Sequence, residues 1–193
     1  SLRPLRLPNL TLPAERARGN TTASRVKSLV LHVQERHGRA AADGLLSAIK
    51  LERDYLEDET QSLSREVWHR ALEAFASRWG RDEIPRMAHA VLRPENLAVW
   101  ARVLEGAEDP EAAYRQLDRH GGHDVLTERW VTVQSQPESW RGVVPVLPDS
   151  ELERDGLCNL ARAAELSALP GLFGLPPARV RVTVTPGESG VEL

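Results

Sequence analysis

Cysteine is almost missing from this chain: Cys158 is the only one in 193 residues. A lone cysteine excludes an intrachain disulfide and any zinc or iron–sulfur site built on cysteine pairs. Lysine is scarce too, with Lys27 and Lys50 standing against 23 arginines. Together with abundant alanine, that balance matches the coding habit of a GC-rich bacterial genome. No apolar run approaches the roughly 20 residues of a membrane span, and no signal-peptide core is visible. Both absences point to the cytoplasm. The chain also lacks a Gly-x-Ser-x-Gly elbow, a P-loop and a dinucleotide-binding glycine pattern. No activated nucleophile is identifiable, so catalysis is not expected. A net charge of −3 and a pI near 6.1 argue against a dedicated nucleic-acid binder.

What is present can build a core. Hydrophobic residues make up 41% and charged residues 27%, within the range of an ordinary single domain. The charge is uneven: residues 1–27 carry a net +5, and the rest carry −8. Residues 1–24 interleave Pro4, Pro8 and Pro13 with five leucines, which favours extended backbone and reads as an arm. The arm lacks the dense basic clusters and aromatics of a nucleic-acid or lipid binder. The first residue is not methionine and Val191-Glu192-Leu193 still reads as strand, so both ends suggest a piece of a longer protein.

Residues 25–121 read as five or six helices. Val26, Leu29, Val30 and Val33 make one apolar face, with Ser24 as N-cap and Gly38 as stop. Leu45, Leu46 and Ile49 mark a second helix, and residues 51–60 look acidic and irregular. Ser64 caps a third helix with the stripe Trp68, Leu72, Phe75 and Trp79. Three more follow, around Met87, after Pro94, and from Pro110 with Tyr114 and Leu117. Residues 122–193 change period. Two strands are expected within residues 125–147, where Pro145 points to an edge or bulged strand. A long helix should open at Ser150, which has Glu153 at capping-box spacing. Val180, Val182 and Val184 then alternate as a strand, followed by a turn and a return strand. The expected class is α+β: a helical part, residues 25–121, then a mainly antiparallel β-β-α-β-β unit, residues 122–193.

Candidate chemistry is thin. His120-Gly-Gly-His123 is the only close histidine pair, and no His-Glu-x-x-His accompanies it, so no metal site is expected. His89, in a largely apolar helix, could serve as an axial haem ligand or as an ordinary packed histidine. Cys158 reads as a small buried residue rather than a nucleophile. The aromatics say more. Five tryptophans stand against two phenylalanines and two tyrosines, and Trp68, Phe75 and Trp79 share a helix face. With Trp100 and Tyr114 they could line a cavity for a small apolar ligand, or simply fill a core.

The order of helical region, two strands, long helix, strand, turn and strand resembles the ligand-binding fold of NO-signalling and Golgi-transport proteins. That group includes haem-NO-binding and vinyl-reductase-like sensor domains. The stretch from Leu157 to Pro170, followed by Leu172-Phe173-Gly174-Leu175-Pro176, is similar to its helix before the last hairpin. The start from Val26 to Ile49 also looks like the opening of such domains. Two departures stand out. The paired cysteines of vinyl-reductase-like domains have no counterpart in residues 183–190. Neither Tyr55 nor Tyr114 begins the Tyr-x-Ser-x-Arg signature of haem-NO-binding domains.

The resemblance implies a noncatalytic signal-input domain that relays to an output domain of kinase or cyclase type and self-associates as a homodimer. Trp68, Phe75, Trp79, Trp100 and Tyr114 are its pocket candidates for a small apolar or aromatic ligand, and no cofactor is expected. A pure dimerisation module is one alternative. A haem-based gas sensor using His89 or His120 is the other.

Overall fold

The computed structural model describes residues 21–58, 61–92, 101, 104–120, 131–136, 139–145, 155–185 and 188–192. Helices dominate them. In chain order the elements are β1 (Thr21–Thr22), α1 (Ala23–His37), α2 (Arg39–Ile49), β2 (Ser62–Leu63), α3 (Arg65–Trp79), α4 (Ile84–Val91) and α5 (Pro110–His120). They continue with β3 (Val131–Gln136), β4 (Ser139–Pro145), α6 (Leu157–Ala168), β5 (Arg181–Thr185) and β6 (Glu188–Glu192).

The apolar stripes read from the sequence do the packing. Val26, Leu29, Val30 and Val33 of α1 meet Leu45, Leu46 and Ile49 of α2, all buried. Leu72 and Phe75 of α3 and Ile84 and Met87 of α4 complete this core and are fully buried. Burying a side chain of this size contributes about 1.5–3 kcal/mol each. Ser64 caps α3 as its position suggests: its Oγ accepts the Val67 N–H at 3.3 Å. Gly80, at φ 94°, ends the same helix in a conformation that suits glycine.

The chain turns out to be tied in earlier than its proline pattern suggests. Thr21 and Thr22 pair with Leu63 and Ser62, and Ala23 donates to the Gln61 carbonyl oxygen at 2.8 Å. α1 already includes Ser24, which is buried in its first turn rather than standing outside as an N-cap. The rest of the arm, residues 1–20, lies outside the described residues. The acidic stretch after Leu51 is not wholly irregular. It contains a 3-10 turn, Arg53–Leu56, which buries Leu56 against α1.

β3, β4, β6 and β5 lie side by side in that order, every pair antiparallel. β4 is therefore internal. Pro145 sits neither on an edge strand nor in a bulge but at the last position of β4, opposite Glu188. A proline is tolerated there because few ladder bonds remain for its missing N–H to break. The bulge lies instead in β3, between Thr132 and Gln134. α6 starts at Leu157 behind Gly156, which is left-handed at φ 68°. The expected opening at Ser150 with Glu153 falls outside the described residues. The Asp155 carboxylate takes up the capping role, accepting the Leu157 N–H at 3.0 Å.

α6 is the hinge of the packing. It lies along α4 and also touches α3 and β5. One ion pair is sealed into this layer: Arg25 of α1 donates to Glu165 of α6 at 2.8 Å, both side chains nearly dry.

Candidate functional site

α1 and α4 lie side by side, and a hollow of about 330 Å³ opens at their junction. His32 and Arg36 of α1 line it, one helical turn apart. Pro85, Arg86 and His89 of α4 form the other wall. His32 is buried, and its ring lies 6.1 Å from that of Phe75, tilted by 54°. His89 and Arg86 are exposed at the rim. Glu83 stands beside the two arginines, 3.8 Å from Arg36 and paired with Arg86. Two guanidinium groups against one carboxylate leave the rim positive. The volume is at the lower end for a small-molecule site. Two imidazoles can ligate a metal or exchange a proton, and two guanidinium groups suit carboxylates.

The aromatic candidates do not gather into one place. Trp68 and Phe75 are buried in the helical core, and Trp79 is half-buried. Phe75 and Trp79 touch at 5.2 Å, and Trp79 stacks on His37 at 4.9 Å. Tyr114 belongs to a separate cluster. It stacks on Trp140 at 5.5 Å and 23°, and its hydroxyl donates to the Leu166 carbonyl oxygen at 2.8 Å. Burial raises this phenol well above the usual tyrosine range. Trp100 lies outside the described residues, and nothing is described of the His120 side chain. Cys158 is buried on α6.

His32, Arg36 and Arg86 were not singled out from the sequence. Their spacing held a signal, because His32/Arg36 and Arg86/His89 each place two polar groups on one helix face. Trp140 carried no such signal. It reaches Tyr114 only because α5 packs against β3 and β4.

No family model matches the sequence, and no curated protein sequence is similar to it. Its fold does match solved structures. The Fe(II) unliganded H-NOX protein from K. algicida superposes with a TM-score of 0.61 at 9% identity, covering 89% of this chain and 95% of that one. The H-NOX protein from S. oneidensis in its Fe(II)NO ligation state gives 0.61 at 12% identity, covering 89% and 97%. An oxygen-binding H-NOX domain related to soluble guanylate cyclases gives 0.60 at 8%, covering 88% and 91%.

The chain thus has the fold of haem-NO-binding sensor domains, as the order of its elements suggested. The same neighbours overturn the expectation of a domain without a cofactor. They include iron-bound, oxygen-complexed and haem-distortion structures of H-NOX proteins. The donor set of the hollow suits haem: imidazole is an axial ligand of haem iron, and guanidinium groups suit its propionate carboxylates.

Proposed function

We propose that this chain is a noncatalytic, haem-based gas-sensing input domain, with His89 as the iron ligand. The observation that carries the reading is the α1–α4 hollow, where two imidazoles and two guanidinium groups meet in a fold shared with haem proteins. It displaces the apolar-ligand reading that the tryptophans first suggested. Haem bound there would supply an iron that takes a diatomic gas. Arg36 and Arg86 would hold the carboxylates, a role that the missing Tyr-x-Ser-x-Arg signature leaves to other residues. Phe75 lies behind the buried His32, their rings 6.1 Å apart.

The relay follows from the packing. α4 would have to move away from α1 to admit so wide a ligand into 330 Å³. α4 lies on α6, and α6 touches β5, so the shift reaches the terminal hairpin. A ligand biases such a shift only as far as it binds the two arrangements unequally. The reading keeps one sensor unit over residues 25–193, acting as a homodimer in the cytoplasm on an output domain of kinase or cyclase type. One of the similar structures is itself related to soluble guanylate cyclases. Among the described residues, no helix is long and apolar enough to cross a membrane.

Protein produced with haem supplied should show a Soret band that shifts on adding CO or NO. His89→Ala should move or remove the band, and Arg36→Ala with Arg86→Ala should loosen haem retention. A wild-type chain that folds and shows no Soret band ends the haem reading. A band untouched by His89→Ala removes His89 from it.

A further inference from the structure

A second group of ligating side chains lies away from the hollow, where α3 meets the segment that opens α6. His69 and Glu73 are one turn apart on α3, so their side chains share a face. Asp155 comes to them from 86 residues further along. His69 Nε2 lies 2.9 Å from Asp155 Oδ2, and His69 Nδ1 lies 3.5 Å from Glu73 Oε2. One ligand atom from each of the three falls within 4.8 Å of the other two. Asp155 is itself held in place, since its other oxygen accepts the Leu157 N–H.

We propose that His69, Glu73 and Asp155 bind a divalent transition-metal ion of the zinc type. Ligands bound at about 2.0–2.2 Å around a tetrahedral zinc lie about 3.4 Å apart. One imidazole gives an ion one nitrogen, so only the His69 Nε2–Asp155 pair already stands near that spacing; Glu73 now faces Nδ1 and has to swing toward Nε2 to join the same ion. The Glu73 side chain is 54% exposed, free to change rotamer and close the set. One imidazole with two carboxylates prefers zinc-like ions to calcium or magnesium, which favour all-oxygen shells. Two carboxylates balance the double charge, and the fourth position is left to water. The ion takes the Nε2 lone pair in place of the hydrogen bond to Asp155, and the proton of the neutral imidazole stays on Nδ1. Arg81, which reaches the neighbouring Gly156, is the cation the metal must contend with.

A filled site fastens α3 to the start of α6, the helix along which the proposed signal runs. Metal occupancy would therefore stiffen the relay element itself. The inference does not depend on haem binding at the hollow.

The test is titration of the EDTA-treated full chain with ZnCl2 by calorimetry. One equivalent should bind saturably. Glu73→Gln should weaken it about tenfold or more, and Asp155→Asn, which keeps an oxygen for the Leu157 N–H, should do the same. His37→Ala serves as the control and should bind as the wild type does. Co2+ in place of zinc should give the absorption bands of a low-coordinate site, lost in both variants. No saturable binding, or equal binding in Glu73→Gln and Asp155→Asn, overturns the proposal and leaves a plain His–Asp hydrogen bond joining two helices.

Discussion

Replacing Arg25 by methionine tests how the two halves of the molecule are joined. The Arg25 and Glu165 side chains are 6% and 2% exposed and lie 2.8 Å apart. Desolvation of both charges is already complete, so the attraction between them is what offsets it. Removing the cation takes the 2.8 Å partner from a carboxylate whose side chain is 2% exposed. Breaking such a pair costs about 3–5 kcal/mol. That is a large part of the roughly 5–15 kcal/mol that holds most domains folded.

In urea, with a slope of about 2–3 kcal/mol/M for a chain of this size, the midpoint of Arg25→Met should fall by about 1–2 M. The double variant Arg25→Met with Glu165→Leu should recover part of the loss, since the buried carboxylate leaves with its partner while Arg162 on the same helix stays buried. The slope should be unchanged in all of them. An Arg25→Met loss below about 1 kcal/mol would mean instead that the pair is solvated in solution. A double variant as unstable as the sum of the singles would show that packing and not charge sets the cost.

Two further outcomes follow from the second aromatic cluster. Tyr114→Phe removes the hydrogen bond to the Leu166 carbonyl and should cost about 1 kcal/mol in urea unfolding at pH 8. The folded phenol holds its proton after the unfolded one, with an ordinary pKa near 10, has lost it. Its contribution is thus complete below pH 10 and declines as pH rises past it, so the wild type should lose stability between pH 10 and 11 more steeply than Tyr114→Phe. Equal slopes would show that the phenol is not buried. Gly142→Ala would place a methyl 2.1 Å from the Trp140 ring, which lies over that glycine. Displacing the ring should cost about 1–3 kcal/mol and alter the near-ultraviolet dichroism of Trp140. An unchanged spectrum and midpoint would count against this packing.

Much of the helical half was legible because its signals are local. An apolar stripe such as Val26, Leu29, Val30 and Val33 has a period that only a helix can bury on one side. Ser64 and Gly80 bracket α3 through bonds and dihedrals formed within a few residues. The sheet was harder to read. Pro145 suggested an edge, yet β6 pairs with β4 and closes it in. That choice is made by a strand more than 40 residues away.

The candidate sites divide in the same manner. His32 with Arg36, and Arg86 with His89, have spacings that put each pair on one helix face, but no sequence pattern makes them the two walls of one hollow. The aromatic residues shared a composition without sharing a cavity: Phe75 packs against His32 while Tyr114 stacks on Trp140.

By itself the sequence determined a disulfide-free domain with amphipathic helices, the Ser64 cap of α3, and an order of elements resembling the haem-NO-binding fold. These depend on backbone geometry and periodicity within a few turns. The tertiary structure alone decided that Arg25 meets Glu165, 140 residues away, and that Asp155 meets His69. Charge pairing and metal ligation act through space over a few ångströms. Their partners are set by how helices pack, which no local pattern in the chain encodes.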